Sequence, residues 1–170
     1  QRVFRHLSLL ERYFQMDTIE AVEAQNRELI RRSYTHILMN RNVDEAIQIY
    51  NEMFDDSYVD HMLFDYPVMA PNKDALREQI RMMITSFSDI NAEIIHLLAD
   101  HDKVAHYASF SAKHTGQFLG IPPTGKTLHW TEVHMSRVKD GKIVEHWGHI
   151  DIDTMFRQLG INPAQMQQGG

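Results

Sequence analysis

The chain has 170 residues, 43% of them hydrophobic and 24% charged, with a formal net charge of −6, which suits one globular domain with enough apolar material for a core. It contains no cysteine, which excludes disulfide staples and thiolate metal sites and fits an intracellular, cytoplasmic location. An acidic balance without a basic, aromatic-interleaved patch argues against nucleic acid as a partner, and no apolar run approaches the roughly 20 residues that span a membrane.

No signal-peptide pattern opens the chain, and because residue 1 is Gln a trimmed natural start is expected. Residues 2–15 carry Val3, Phe4, Leu7, Leu10, Tyr13 and Phe14 at helical spacing, and Asp17-Thr18 offers an N-cap for the helix that follows. That helix is predicted from about Thr18 through Leu38, with Ile19, Val22, Leu29, Ile30, Tyr34 and Ile37 as its apolar stripe. Asn40 to Asn42 break it, and Asp44 can cap a third helix ending at Met53. A fourth fits Lys73 to Phe87, after Pro71-Asn72 and before Ser88-Asp89.

From Asn91 the period changes to two. Ala92 to Ala99 reads as a strand, Asp100-His101-Asp102-Lys103 as a turn, and Val104 to Phe118 as a long strand. Gly120-Ile121-Pro122-Pro123 is a turn and lacks the spacing of a phosphate cradle. Strands at about 127–138 and 143–151 should pair across the Asp140-Gly141 hairpin. A short helical segment, Ile152 to Leu159, follows, and residues 163–170 are expected to be a flexible tail. Helices first and long strands afterwards imply an α+β fold, with the helices packed on one face of a curved antiparallel sheet.

Alternation along the strand at 127–138 sets Leu128, Trp130, Glu132, His134 and Ser136 on one face and His129, Thr131, Val133, Met135 and Arg137 on the other. Polar residues repeating inside such a strand are expected to face a ligand cavity, the alternatives being a solvated face or an oligomer contact. Eleven histidines are many for this length, but no His-Glu-x-x-His pattern occurs. His129, His134 and His149 could meet only if the strands converge, while period two separates the first two, so no metal site is expected. Trp130, Trp147, Tyr107, Phe110 and Phe118 are read as core or pocket packing, and Met62, Met69, Met82, Met83 and Met135 as adaptable core or a plastic pocket entrance.

Phe54-Asp55-Asp56-Ser57-Tyr58-Val59-Asp60-His61, His114-Thr115-Gly116, Gly120-Ile121-Pro122-Pro123-Thr124, Glu132-Val133-His134, Arg137-Val138-Lys139-Asp140-Gly141-Lys142-Ile143 and Arg157-Gln158-Leu159-Gly160 occur in an order that resembles the SnoaL-like polyketide cyclase (ester cyclase) family. The likeness spans about residues 26–162 and leaves 1–25 as an N-terminal helical extension, a possible site of oligomer contact. It implies the NTF2-like fold, a cone-shaped barrel of bent antiparallel sheet closed by helices, with a small hydrophobic molecule in its pocket and a homodimer or homotetramer as its assembly. It further implies intramolecular aldol ring closure of aromatic polyketide methyl esters without cofactor or metal: a carboxyl group with a pKa raised by burial moves the proton, beside donors that stabilise an enolate.

The resemblance matches the family's shared histidine to His134 and places Asp60 where the family has Asn. The family's acid/base aspartate falls on Gly148, fourteen residues after His134, and limonene epoxide hydrolases place a catalytic Asp at the corresponding position; glycine can transfer no proton. Two carboxylates are candidates to replace it. Asp60 is expected either to form a proton-abstracting dyad with His134 or to satisfy a buried group by pairing with His134 or Arg137, and Asp151 either to act as a second acid or to cap Ile152–Leu159. Tyr58, His61, Tyr107, His114, Trp130, Glu132, Trp147 and Gly148 are the expected substrate-binding residues. Two functions follow: a cofactor-independent cyclase or related lyase or isomerase acting on a hydrophobic carbonyl compound through Asp60, His134 and Asp151, or a non-catalytic small-molecule-binding protein on the same scaffold.

Overall fold

One long helix, α1 (Leu9–Ser33), leads the computed structural model, which describes residues 9–62 and 70–162. Asp17-Thr18 does not start a new helix. No glycine or proline interrupts the segment, so its hydrogen-bond ladder runs through both residues and across position 25 without a break. Residues 2–8 of the expected amphipathic arm, Met69 and the tail at 163–170 lie outside the described residues. The helix buries Asn26 and Ile30, whereas Val22 is exposed. The Asn26 amide donates to His101 O at 3.0 Å and Glu23 accepts from His101 N at 3.0 Å, so Glu23 and Asn26 meet the turn at the end of the sheet.

A π-helical turn, Tyr34–Leu38, continues the helix and buries Tyr34 and Ile37. Such turns widen the backbone locally and are common beside functional sites. The cap of α2 (Val43–Met53) is Asn42 rather than Asp44: its side chain accepts from the amides of Asp44 and Glu45 at 3.0 and 3.2 Å. Asp44 instead lies in the first turn, where its charge complements the helix dipole. Strand β1 (Phe54–Asp60) follows directly, and α3 (Lys73–Ser86) starts from an Asn72 cap. The buried Lys73 ammonium fastens α3 to β1, donating to Phe54 O at 2.6 Å and Asp56 Oδ1 at 2.8 Å.

Four long strands complete the sheet: β2 (Phe87–Asp100), β3 (Lys103–His114), β4 (Thr127–Lys139) and β5 (Lys142–Ile150). The sheet order is β1-β5-β4-β3-β2. Every pair is antiparallel except β1 with β5, which is parallel and aligns Asp60 with His146. Register shifts in β2 between Ser88 and Asn91 and between Ile94 and His96, and in β5 at Val144, opposite Arg137 and Val138, supply the bends that curl the sheet. The third strand ends at His114, short of the predicted Phe118, which instead bridges to Ile121 in the following turn.

Inside the curve lies a core that includes Tyr50, Phe54, Phe87, Phe110, Phe118, Leu128, Trp130 and Phe156. The last helix, α4 (Ile152–Leu159), closes one end; its Gln158 side chain accepts from His129 N and donates to His129 O at 2.8 and 2.6 Å, serving the β4 backbone beyond the point where β5 leaves it. No helix among the described residues is long and apolar enough to cross a membrane.

Candidate active site

Alternation along β4 places Leu128, Trp130, Glu132, His134 and Ser136 in the interior, with His129 and Val133 exposed, as expected. The same alternation along β3 buries His106, which pairs in register with His134; His134 in turn pairs with Gly148 of β5. Across three neighbouring strands this row therefore reads His, His, Gly. The missing side chain at Gly148 gives the His134 ring its place, since a Cβ there would lie 2.3 Å from His134 Nδ1.

From that place His134 joins a continuous hydrogen-bonded chain. Its Nε2 is 2.8 Å from Glu132 Oε2, and its Nδ1 is 2.9 Å from His146 Nε2. His146 Nδ1 is 3.1 Å from Asp60 Oδ1, and the Trp130 indole donates to Glu132 Oε1 at 2.7 Å. Met62 N donates to Asp60 Oδ1 at 2.9 Å. Beside the chain, Tyr34 OH lies 2.5 Å from His106 Nε2, and the His106 and His134 rings are 5.1 Å apart. Glu132, His134 and His146 line an apolar cavity with Tyr34, Tyr58, Ser136 and the aliphatic side chains of α1 and α3. Among the described lining residues Glu132 is the only carboxylate. The cavity encloses about 130 Å³, less than the roughly 300–1,000 Å³ typical of ligand sites. A polycyclic ligand therefore needs its walls to give, and Met62 and Met83 are lining side chains flexible enough to do so.

The sequence-derived candidates divide by strand face. Tyr58, Glu132 and His134 line the cavity. Asp60 does not touch His134 and meets it only through His146, which sequence reasoning missed; Arg137 pairs with Glu145 instead, at 2.7 Å. The Asp151 side chain caps α4, accepting from Thr154 N at 3.0 Å, and is not among the cavity's lining residues. Tyr107 and Trp147 fall on the other side of their strands, in register with Val133 and Met135 of the outward set. There Tyr107 stacks on His96 and Trp147 on the exposed His61. Period two alone separates Tyr107 from His106 and Trp147 from His146. His114 is buried but packs against Phe87 and Phe118, its Nδ1 3.1 Å from the Thr124 hydroxyl. Trp130 stacks on Phe110 behind Glu132, and Gly148 contributes space rather than a contact.

His129 and His149 face outward, so the three histidines weighed as ligands do not converge. Glu23, Asp100 and His101 do bring ligating atoms within 4.8 Å of one another, at the surface turn between β2 and β3, where hydrogen bonds among them already use His101.

Burial pulls the His106 imidazole down to about 3, helped by the neighbouring His134, so it is a neutral partner for Tyr34. Burial likewise holds the Tyr34 phenol well above its ordinary value, keeping its O–H. Burial lowers His146, with Asp60 opposing. At Asp60 burial raises the carboxyl, but hydrogen bonding and charge from His146, with the Met62 amide, outweigh it and hold Asp60 low.

These depressed values all act in one direction. For His106 the unfolded chain binds a proton below about 6.5 that the folded chain refuses until about 3, so stability falls as pH drops through that window. Going from pH 7 to pH 5 should remove about 2 kcal/mol through His106 alone, at ~1.36 kcal/mol per unit below 6.5. Chemical denaturation at both pH values, with His106→Asn alongside, checks this: Asn can still accept from Tyr34 but does not titrate, and an equally steep loss in the variant would refute the assignment.

The profile of the SnoaL-like polyketide cyclase family matches residues 28–159. The nogalonic acid methyl ester cyclase of Streptomyces nogalater is 37% identical over 57 residues, which is 34% of this chain and 42% of that protein. The chain thus matches well under half the length of that relative. Among solved structures, IdmH of Streptomyces antibioticus is 27% identical with a TM-score of 0.66, covering 81% of this chain and 99% of its own. AclR of Streptomyces galilaeus is 25% identical with a TM-score of 0.68, covering 81% and 97%. Fold, cavity and profile agree with the NTF2-like cone that the motifs implied, and the chain belongs to the SnoaL-like polyketide cyclase family.

Proposed function

We propose that this protein closes a ring in a hydrophobic carbonyl compound by cofactor-independent acid/base chemistry, an intramolecular aldol reaction on an aromatic polyketide methyl ester. The observation that carries the reading is the buried Glu132–His134 pair on the wall of an apolar cavity, each side chain 7% exposed and joined at 2.8 Å. A carboxylate and an imidazole held together out of water are suited to moving a proton at a carbon next to a carbonyl.

Glu132 is the base, because it is the cavity-lining carboxylate and each of its oxygens keeps a lone pair beyond the bonds from Trp130 and His134. His134 is the acid: as Glu132 takes the α-proton, the Nε2–H that Glu132 accepted from His134 is freed for the oxygen of the carbonyl under attack. The Ser136 hydroxyl, on the same wall, is a donor for the enolate. In the reaction an α C–H bond breaks, a C–C bond forms to the ketone carbon, and the ketone oxygen becomes a hydroxyl. His146 and Asp60 orient His134 from behind and are positioning residues.

The named relative supplies the substrate to try: nogalonic acid methyl ester, followed by absorbance with purified protein. Acceleration over buffer is expected; none would remove the cyclase reading and leave the cavity as a binding site.

A further inference from the structure

We propose that the chain Asp60–His146–His134–Glu132 stores one proton more than two neutral imidazoles carry, held on the histidine pair, and that Gly148 is the residue that allows this store to form. The inference rests on counting. Three hydrogen bonds link four groups in series, and each needs one proton between its heavy atoms. Ionised carboxylates at the two ends supply none, and two neutral imidazoles supply one each. One proton is missing, and the pair must carry it.

The surroundings decide where it sits. Glu132 already accepts from the Trp130 indole and Asp60 from the Met62 amide, so both ends are furnished with donors as carboxylates. That leaves the extra proton on His134, which donates to Glu132 and to His146, since burial disfavours charge on His146. The other titratable groups facing the chain do not compete for the proton. His106 of β3 is neutral, and Tyr34 beside it and Tyr58 of β1 keep their phenolic protons. Tyr50 of α2 does too, between the charges of Asp60 and of Arg77 on α3. On the outer side Glu145 and Arg137 neutralise each other.

This deepens the acid/base reading and rests on it for its use. A site that begins with the third proton can give it to the developing alkoxide while Glu132 takes the α-proton. After both transfers the chain holds as many protons as before, and no exchange with solvent is required within the turnover. Gly148 has a positioning role here: with any Cβ in its place the His134 ring could not occupy the position from which it reaches His146.

The test uses the resting protein without substrate, so it stands apart from the ring-closure assay, and either can fail alone. Ring ¹⁵N chemical shifts of labelled protein at pH 7.5 should show three N–H protons across His134 and His146, with His106 singly protonated as an internal control. In Glu132→Gln the side-chain oxygen can keep the Trp130 bond while the amide donates to His134 Nε2. Two neutral imidazoles then suffice, and the count should fall to two. Wild type with one proton on each ring would overturn the proposal, as would a Glu132→Gln variant that still shows three. Should that variant not fold, the wild-type count decides.

Discussion

Glu132→Gln is expected to lower kcat for ring closure by about 10²–10⁴-fold, the usual contribution of a positioned acid or base, while KM changes little. The substitution is nearly isosteric and lets both neighbours keep a partner, so the fold should survive, and the loss should report chemistry rather than packing. Moving back along the chain, the effect should shrink. Asp60→Asn keeps an acceptor for His146 and lies outside the lining of the Glu132 cavity, so a loss of about tenfold is expected, in line with partners that orient a reacting group from behind. The order of the two losses is the informative part. If Asp60→Asn abolished the reaction and Glu132→Gln spared it, the carboxylate would act from the Asp60 end and the assignment of Glu132 as base would be wrong.

The residues at stake in that comparison were unevenly legible in the sequence. Period two along β4 correctly set Glu132 and His134 facing inward together, because a strand with one buried face leaves no freedom of register. The same rule applied to β3 would have selected His106, on the face of Val104, Ala108 and Phe110, over Tyr107; aromatic bulk drew attention to the wrong neighbour. Helices α2 and α3 were readable from their breaks, although an Asn rather than an Asp caps α2.

The connection of Asp60 to His146 was not readable. It depends on β1 returning parallel to β5 across 86 positions of sequence, and nothing local in either strand encodes that pairing. In sequence Asp60 reads as a partner of His134, one imidazole too far along the chain. Gly148 posed a different difficulty. In sequence it reads as the loss of an acid; in three dimensions it is the space that lets another acid/base group stand there.

Gly148→Ala tests that view of the glycine and is expected to be strongly destabilising. A Cβ 2.3 Å from His134 Nδ1 and 3.0 Å from His146 Cε1 cannot be accommodated without moving a ring held by a hydrogen bond at each nitrogen. Overpacking of this kind costs about 1–3 kcal/mol, and leaving a buried polar group unpaired costs about 1–3 kcal/mol more. The expected loss is about 2–6 kcal/mol, read by chemical denaturation, with ring closure lost in proportion to the displaced His134. Since glycine inside a strand is otherwise unfavourable, the sign should change once the obstacle is gone. In a His134→Ala background, Gly148→Ala should be neutral or slightly stabilising. The coupling in this double-mutant cycle should therefore be about as large as the single Gly148→Ala loss. Simple additivity would show that alanine at 148 does its damage elsewhere, and that the space beside His134 is not why glycine stands at this position.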